Sequence, residues 1–176
     1  MVESVSGVET ELVIEVDDSG WGDLIGGVVI VMRRVETGEK HVGQIPLEYF
    51  REPQFKYQEY LRVAAQIIVE GLDALAASKD EPIHVCTGYV FTAARETLRE
   101  LGYRVREVKI TGATQELAEH EFVKSLAAMG VGAPEAVASM RSFSGFLEWV
   151  KKDQRGREKY VKTGWSSWSR YRGEDG

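Results

Sequence analysis

A single cysteine, Cys86, in a chain of 176 residues leaves no internal disulfide and no multi-cysteine zinc site. That fits a reducing compartment, and a cytoplasmic location is the expectation. The N-terminus M-V-E-S-V-S-G-V-E-T has neither a basic region nor a long apolar run, so no signal peptide is expected. The longest strongly apolar segment, Leu24 to Met32, is far too short to span a bilayer, and no membrane partner is expected. Neither G-x-x-x-x-G-K-[ST] nor G-x-G-x-x-G occurs, which removes the common phosphate-cradling loops. There is no internal repeat. Histidine is scarce too: His41 starts a strand, His84 sits in an apolar run as a core residue, and His120 points about 100° away from its neighbour Glu119 on a helix. Cys86 reads better as a buried small hydrophobe than as a nucleophile, although His84 shares its strand face.

What is present suits one soluble domain: 43% of residues are hydrophobic and 28% charged. The net charge of −6 argues against a general nucleic-acid binder. The charge is unevenly placed, however. Residues 141–172 carry +6 and the rest of the chain −12. The expected organisation is a domain over residues 1–152 and a basic, Trp-containing segment over 153–176. In that segment Lys162, Trp165, Trp168, Arg170 and Arg172 interleave rings with cations, a pattern suited to stacking on bases and neutralising phosphates. The same residues equally suit docking on the domain's own surface, or a contact between copies of the chain in a homo-oligomer.

Periodicity supplies the order of elements. Leu12, Ile14 and Val16 alternate with polar residues as in a half-buried strand. A second strand runs from Val28 to Met32, and a third from His41 to Leu47 after the turn E-T-G-E-K. Leu61, Ala64, Ala65, Ile68, Leu72 and Leu75 mark one face of a helix over about Gln54 to Ala77. A central strand is expected over Ile83 to Phe91, a helix from Thr92 to Gly102, a strand over Tyr103 to Ile110, a helix over Gln115 to Met129, and a last helix from Pro134 to about Lys152. A three-stranded meander followed by alternating helices and strands implies an α/β domain: a mixed five-stranded sheet with helices packed on it.

The chain centres on V-I-E-V-D-D-S-G-W-G-D-L-I-G-G-V-V-I-V, Val13 to Val31. The first strand ends in Asp17 and Asp18, followed by a turn through Gly20 and Gly22. Two carboxylates beside a loop with little steric cover suit a divalent cation or a nucleic-acid backbone, and a polar hairpin turn would look similar. Adjacent strand residues point to opposite faces, so one of the two acids is expected to face a given site. Glu119 shares a helical face with Phe122, Val123 and Leu126, which implies an inward carboxylate in need of a cation or a helix N-terminus.

This order of elements resembles the ribonuclease H-like fold. The stretch from Asp17 to Gly26, an acidic pair followed by G-x-G and another Gly four residues later, resembles the first-strand motif of type 2 ribonuclease H. Q-E-L-A-E, Gln115 to Glu119, is similar to the N-E-x-x-D signature that opens the last helix of type 1 enzymes. The resemblance implies Mg²⁺ or Mn²⁺ ligands at Asp17, Asp18 and Glu119, which would also be the catalytic residues. It also implies nucleic-acid contacts at Gly20, Trp21 and Gly22. Departures are plain: Trp21 stands where the motif has arginine, Asp23 and Gly27 where it has prolines, and Ala64 or Ala65 where type 1 enzymes place a first-helix Glu. Cys86-Thr87-Gly88-Tyr89, where the family has a fourth-strand Asp, holds no carboxylate. Two readings follow: a metal-dependent nuclease-like protein acting on RNA, DNA or a hybrid through an incomplete acidic site, or a non-catalytic relative that binds nucleic acid or protein.

Overall fold

Alternation along the second strand sets the layering of the whole domain. The computed structural model describes residues 12–172, without the side chains of Ser166, Ser167 and Arg172. Residues 1–11, with the N-terminus expected to lack a signal peptide, and residues 173–176 lie outside the described part. Strands β1 (Ile14–Ser19), β2 (Val28–Arg34) and β3 (Lys40–Ile45) form an antiparallel meander. On β2, Val28, Ile30 and Met32 enter one apolar core and Val29 and Val31 the other, as the period of a strand requires. Strands β4 (Ile83–Val85) and β5 (Val105–Glu107) join in parallel on the far side of β1, giving the order β3-β2-β1-β4-β5.

Parallel neighbours need crossovers, and helices α1 (Glu59–Ala74) and α2 (Thr92–Glu100) provide them. Both cover the first core, with Ala64, Ile68, Leu72, Ala94 and Leu98 buried against Ile14 and Val16. The opposite face is covered by α3 (Ala113–Met129), whose stripe Thr114, Ala118, Phe122 and Leu126 is buried. Behind it, α4 (Pro134–Met140) and α5 (Phe143–Lys151) add Val137, Phe146 and Val150. The five strands, their mixed sense and the helical layers are those expected from the sequence.

Element ends differ from expectation for local reasons. Helix α1 starts at Glu59 because Gln58 has a left-handed φ of 55°, which no continuing helix tolerates. The apolar run after Val85 leaves the sheet: Arg95 takes the carbonyls of Cys86 and Gly88 at 2.8 and 3.1 Å, and Tyr89–Phe91 forms a 3₁₀ turn whose Val90 and Phe91 fill the first core. The expected single last helix is two. Ser142 caps α5 by accepting from the Gly145 N–H at 2.9 Å, and the Met140 carbonyl lies where a Cβ on residue 145 would sit.

The chain beyond Asp153 packs into the second core. After the short helix α6 (Gln154–Arg157) and a 3₁₀ turn, Val161 bridges Ile25, and helix α7 (Ser166–Arg172) buries Trp168. The Arg51 guanidinium donates to the carbonyls of Glu158 and Val161 at 2.7 and 3.2 Å.

At the far end of β2, Arg34 and Glu81 form a buried bidentate pair at 2.5 and 3.2 Å, and Arg34 also donates to the Leu75 carbonyl at 2.9 Å. Removing one member strands the other charge, at a cost of about 3–5 kcal/mol. Arg34→Ala should therefore lower Tm by several times more than the double replacement Arg34→Met/Glu81→Leu, measured by thermal unfolding. Equal losses would contradict this.

Candidate metal centre

β1 is the central strand, and its C-terminal end opens where β4 stops short. The β1–β4 ladder pairs Val16 with Val85, and the Cys86 N–H reaches the Val16 carbonyl at 3.0 Å. Beyond that bond the two chains part, at the carboxyl edge of a parallel pair, where open α/β sheets form their crevices. Asp17, Asp18 and Cys86 meet there: one donor atom of each lies within 4.8 Å of those of the other two. The expectation that one of two adjacent acids faces a site is therefore corrected. At a strand end still paired with β2 but open on the β4 side, both carboxylates come within reach of one ion.

The cluster is held tightly. Asp17 is 6% exposed and accepts from the Asp18 N–H at 2.9 Å, with the Cys86 sulfur beside it. Burial raises its pKa, with Glu119 and Glu15 adding smaller repulsions. Burial first, and the Asp17 charge second, push Asp18 from 3.8 up to about 7. Burial also pushes up the Cys86 thiol, and the two aspartates add to this. None of the ion pairs among the described residues reaches Asp17 or Asp18. Carboxylates crowded this way without a cation suit a divalent ion chemically.

Glu119 stands elsewhere than expected. It is exposed, because the buried stripe of α3 runs through Ala118 and Phe122, one residue out of register with the inward face read from the sequence. It remains close enough to Asp17 to raise its pKa, so it lies at the rim of the site. The sequence reading missed Glu15, on the same strand face as Asp17, which accepts from Thr114 Oγ1 at 2.6 Å and ties the start of α3 to β1. It also missed Arg141, whose guanidinium donates to Ser19 Oγ at 2.7 Å, pairs with Asp23 at 3.3 Å and lies 4.7 Å from the Phe122 ring. With Glu116, Glu119, His120 and Glu135, Arg141 lines a groove of 460 Å³ between α3 and α4.

Of the residues expected to touch nucleic acid, Gly20 takes φ 109° directly beneath Phe122, where a Cβ would clash. Gly22 is exposed. Trp21 is half-buried in an aromatic cluster, with Tyr60 at 5.3 Å and Trp165 at 5.2 Å, so one tryptophan of the C-terminal segment meets the first-strand loop. Lys162 and Trp168 present no surface, which corrects the expectation for both. Lys162 is fully buried and its Nζ donates to the carbonyls of Asp23 and Ile25 at 2.7 and 3.0 Å. Burial brings its pKa down to about 7, against the pull of Asp23. Trp168 is 3% exposed. Arg170 is exposed, and the Arg172 side chain lies outside the described residues.

No protein-family profile matches the chain. No curated protein matches it either. Solved structures do. Bst-RNase HIII in complex with Mn²⁺ is similar with a TM-score of 0.59 and 16% identity, over 88% of this chain and 67% of that one. A mutant of Bst-RNase HIII gives 0.51 and 15%, over 77% and 65%. The catalytic core domain of BIV integrase gives 0.41 and 18%, over 74% and 80%. The chain thus has the ribonuclease H-like fold. Among the described residues no helix is long and apolar enough to cross a membrane.

The crowding has a stability signature. An acid whose folded pKa lies above its unfolded one folds more readily protonated, so Asp18 withdraws stability as pH rises from about 4 to about 7. In the absence of metal, Asp18→Asn should raise Tm near pH 8, by roughly 2–4 °C for each kcal/mol regained, and change it little near pH 4. A lower Tm near pH 8 would contradict the assignment.

Proposed function

We propose that this chain is a divalent-cation-dependent phosphodiesterase acting on nucleic acid, with Asp17 and Asp18 holding the ion and Glu119 as the acid at the rim. The observation that carries this is the convergence of two carboxylates, Asp17 buried and Asp18 half-buried, with no ion pair to either among the described residues, at the carboxyl end of the central strand of a ribonuclease H-like sheet. When bound, the ion would activate a water and stabilise charge developing on the phosphate; Mg²⁺ and Mn²⁺ are the ions the resemblance implies.

The chain's own groups have separable tasks in this reading. The Asp18 N–H fixes the Asp17 carboxylate. Arg95 fixes the loop that carries Cys86. Arg141, braced on Ser19 and Asp23, is the cation nearest the groove and would meet substrate phosphate. Trp21 and Trp165 offer partly exposed rings beside the loop for contact with bases or sugars. A reduced thiol at Cys86 fits action in the cytoplasm.

The second reading, a non-catalytic nucleic-acid-binding or protein-interaction module, is favoured by one observation: the loop after β4 holds Cys86, Thr87 and Gly88 and no carboxylate. Cleavage of labelled RNA, DNA and hybrid duplexes with Mn²⁺ separates the two. Asp17→Asn should reduce cleavage by at least about a hundredfold while the fold persists by circular dichroism. Cleavage unchanged in the variant would remove Asp17 from the chemistry, and wild type without cleavage on all three substrates would favour the module.

A further inference from the structure

A sulfur sits where a third oxygen would be expected. The β1–β4 register places residue 86 beside Asp17, and the Cys86 side chain turns toward the two carboxylates. A tetrahedral ion with bonds of about 2.0–2.3 Å holds its donors roughly 3.3–3.8 Å apart. Donor atoms that lie within 4.8 Å of one another come to that spacing by side-chain rotations that close about an ångström. Cys86 is free of any disulfide, and Thr87 and Gly88 bring no charge. A Cβ on residue 88 would meet only Asp18 Oδ1, at 3.7 Å, so the space on that side is open to an ion and its water.

The position is also fixed in advance. The Cys86 N–H is bonded to Val16 at 3.0 Å, and its carbonyl to buried Arg95 at 2.8 Å. Arg95 in turn pairs with Glu107 of β5 at 3.1 Å. The thiol is therefore carried on a loop anchored to both neighbouring strands.

We propose that Cys86 is a ligand of this site and that its sulfur selects a thiophilic divalent ion, of the Zn²⁺ or Co²⁺ class, over Mg²⁺. The inference rests on the preceding reading that Asp17 and Asp18 hold a cation. Mg²⁺ demands oxygen donors in octahedral array and dehydrates reluctantly, whereas a thiolate favours softer ions. Two carboxylates and one thiolate make a three-ligand set that leaves a fourth position for water or substrate, the pattern of a reactive rather than a structural centre. On binding, the sulfur–metal bond replaces the S–H bond and the proton passes to solvent.

The test is a titration of Co²⁺ alone, and of Mg²⁺ in competition with it, into wild type, Cys86→Ser and Cys86→Asp kept reduced with a non-thiol reagent. Wild type should bind Co²⁺ with a thiolate-to-cobalt charge-transfer band and resist displacement by Mg²⁺. Cys86→Ser should lose the band and at least about tenfold in Co²⁺ affinity. Cys86→Asp should lose the band but gain Mg²⁺ binding. Co²⁺ bound equally by wild type and Cys86→Ser without a sulfur band, or Mg²⁺ competing on even terms in wild type, overturns the selection and leaves an all-oxygen site standing. No binding of either ion to wild type overturns both this inference and the metal role of Asp17 and Asp18.

Discussion

Burial of the adjacent Asp17 and Asp18 carboxylates, with repulsion as the smaller cause, is the constraint around which the end of the central strand is arranged. Two carboxylates lie next to each other at the end of the central strand, largely out of water, and no ion pair among the described residues offsets them. Such a placement costs stability, because burial penalises the charged forms. A sheet needing only to be stable would place apolar or neutral residues there. The arrangement suits the cation proposed for it.

The surrounding structure is a set of braces for that cluster. Thr114 ties α3 to β1 through Glu15, which fixes the helix that carries Glu119 at the rim. Arg95 holds the loop after β4, and Arg141 holds Ser19 and Asp23 on either side of the first-strand turn. From below, Lys162 clasps the Asp23 and Ile25 carbonyls of the same turn. The C-terminal segment thereby helps to fix the turn that follows the acidic pair, at the opposite end of the sequence. A buried ammonium is costly, so its two short hydrogen bonds matter to the turn more than its charge does.

Much of this was legible in the sequence, and the remainder shows where local pattern stops. Alternation in β1 and β2 and the α1 stripe were visible because a single period governs each. The run Tyr89–Phe91 was read as strand because an apolar segment looks alike whether it enters a sheet or a 3₁₀ turn facing the same core; the deciding partner, Arg95, is an ordinary surface-looking arginine in the sequence. Glu119 was misplaced by one residue, since Thr114, Ala118, Phe122 and Leu126 form the inward stripe and a 100° turn carries Glu119 to the surface. Lys162 and Trp168 resembled nucleic-acid contacts by composition, and only tertiary packing puts them inside. The acidic pair was evident at once. The resemblance already put Cys86 at the end of the strand beside it, but local pattern reads that residue as a small buried hydrophobe, and only the pairing of β1 with β4 turns its sulfur to the carboxylates.

The most direct test of the account is crystallographic. Crystals soaked in Mn²⁺ and measured at a wavelength giving anomalous signal should show one peak between the Asp17 and Asp18 carboxylates, beside Cys86 Sγ. Ordered Mn²⁺ elsewhere on the molecule, with no peak at these carboxylates, would contradict the claim that this end of β1 is a metal centre.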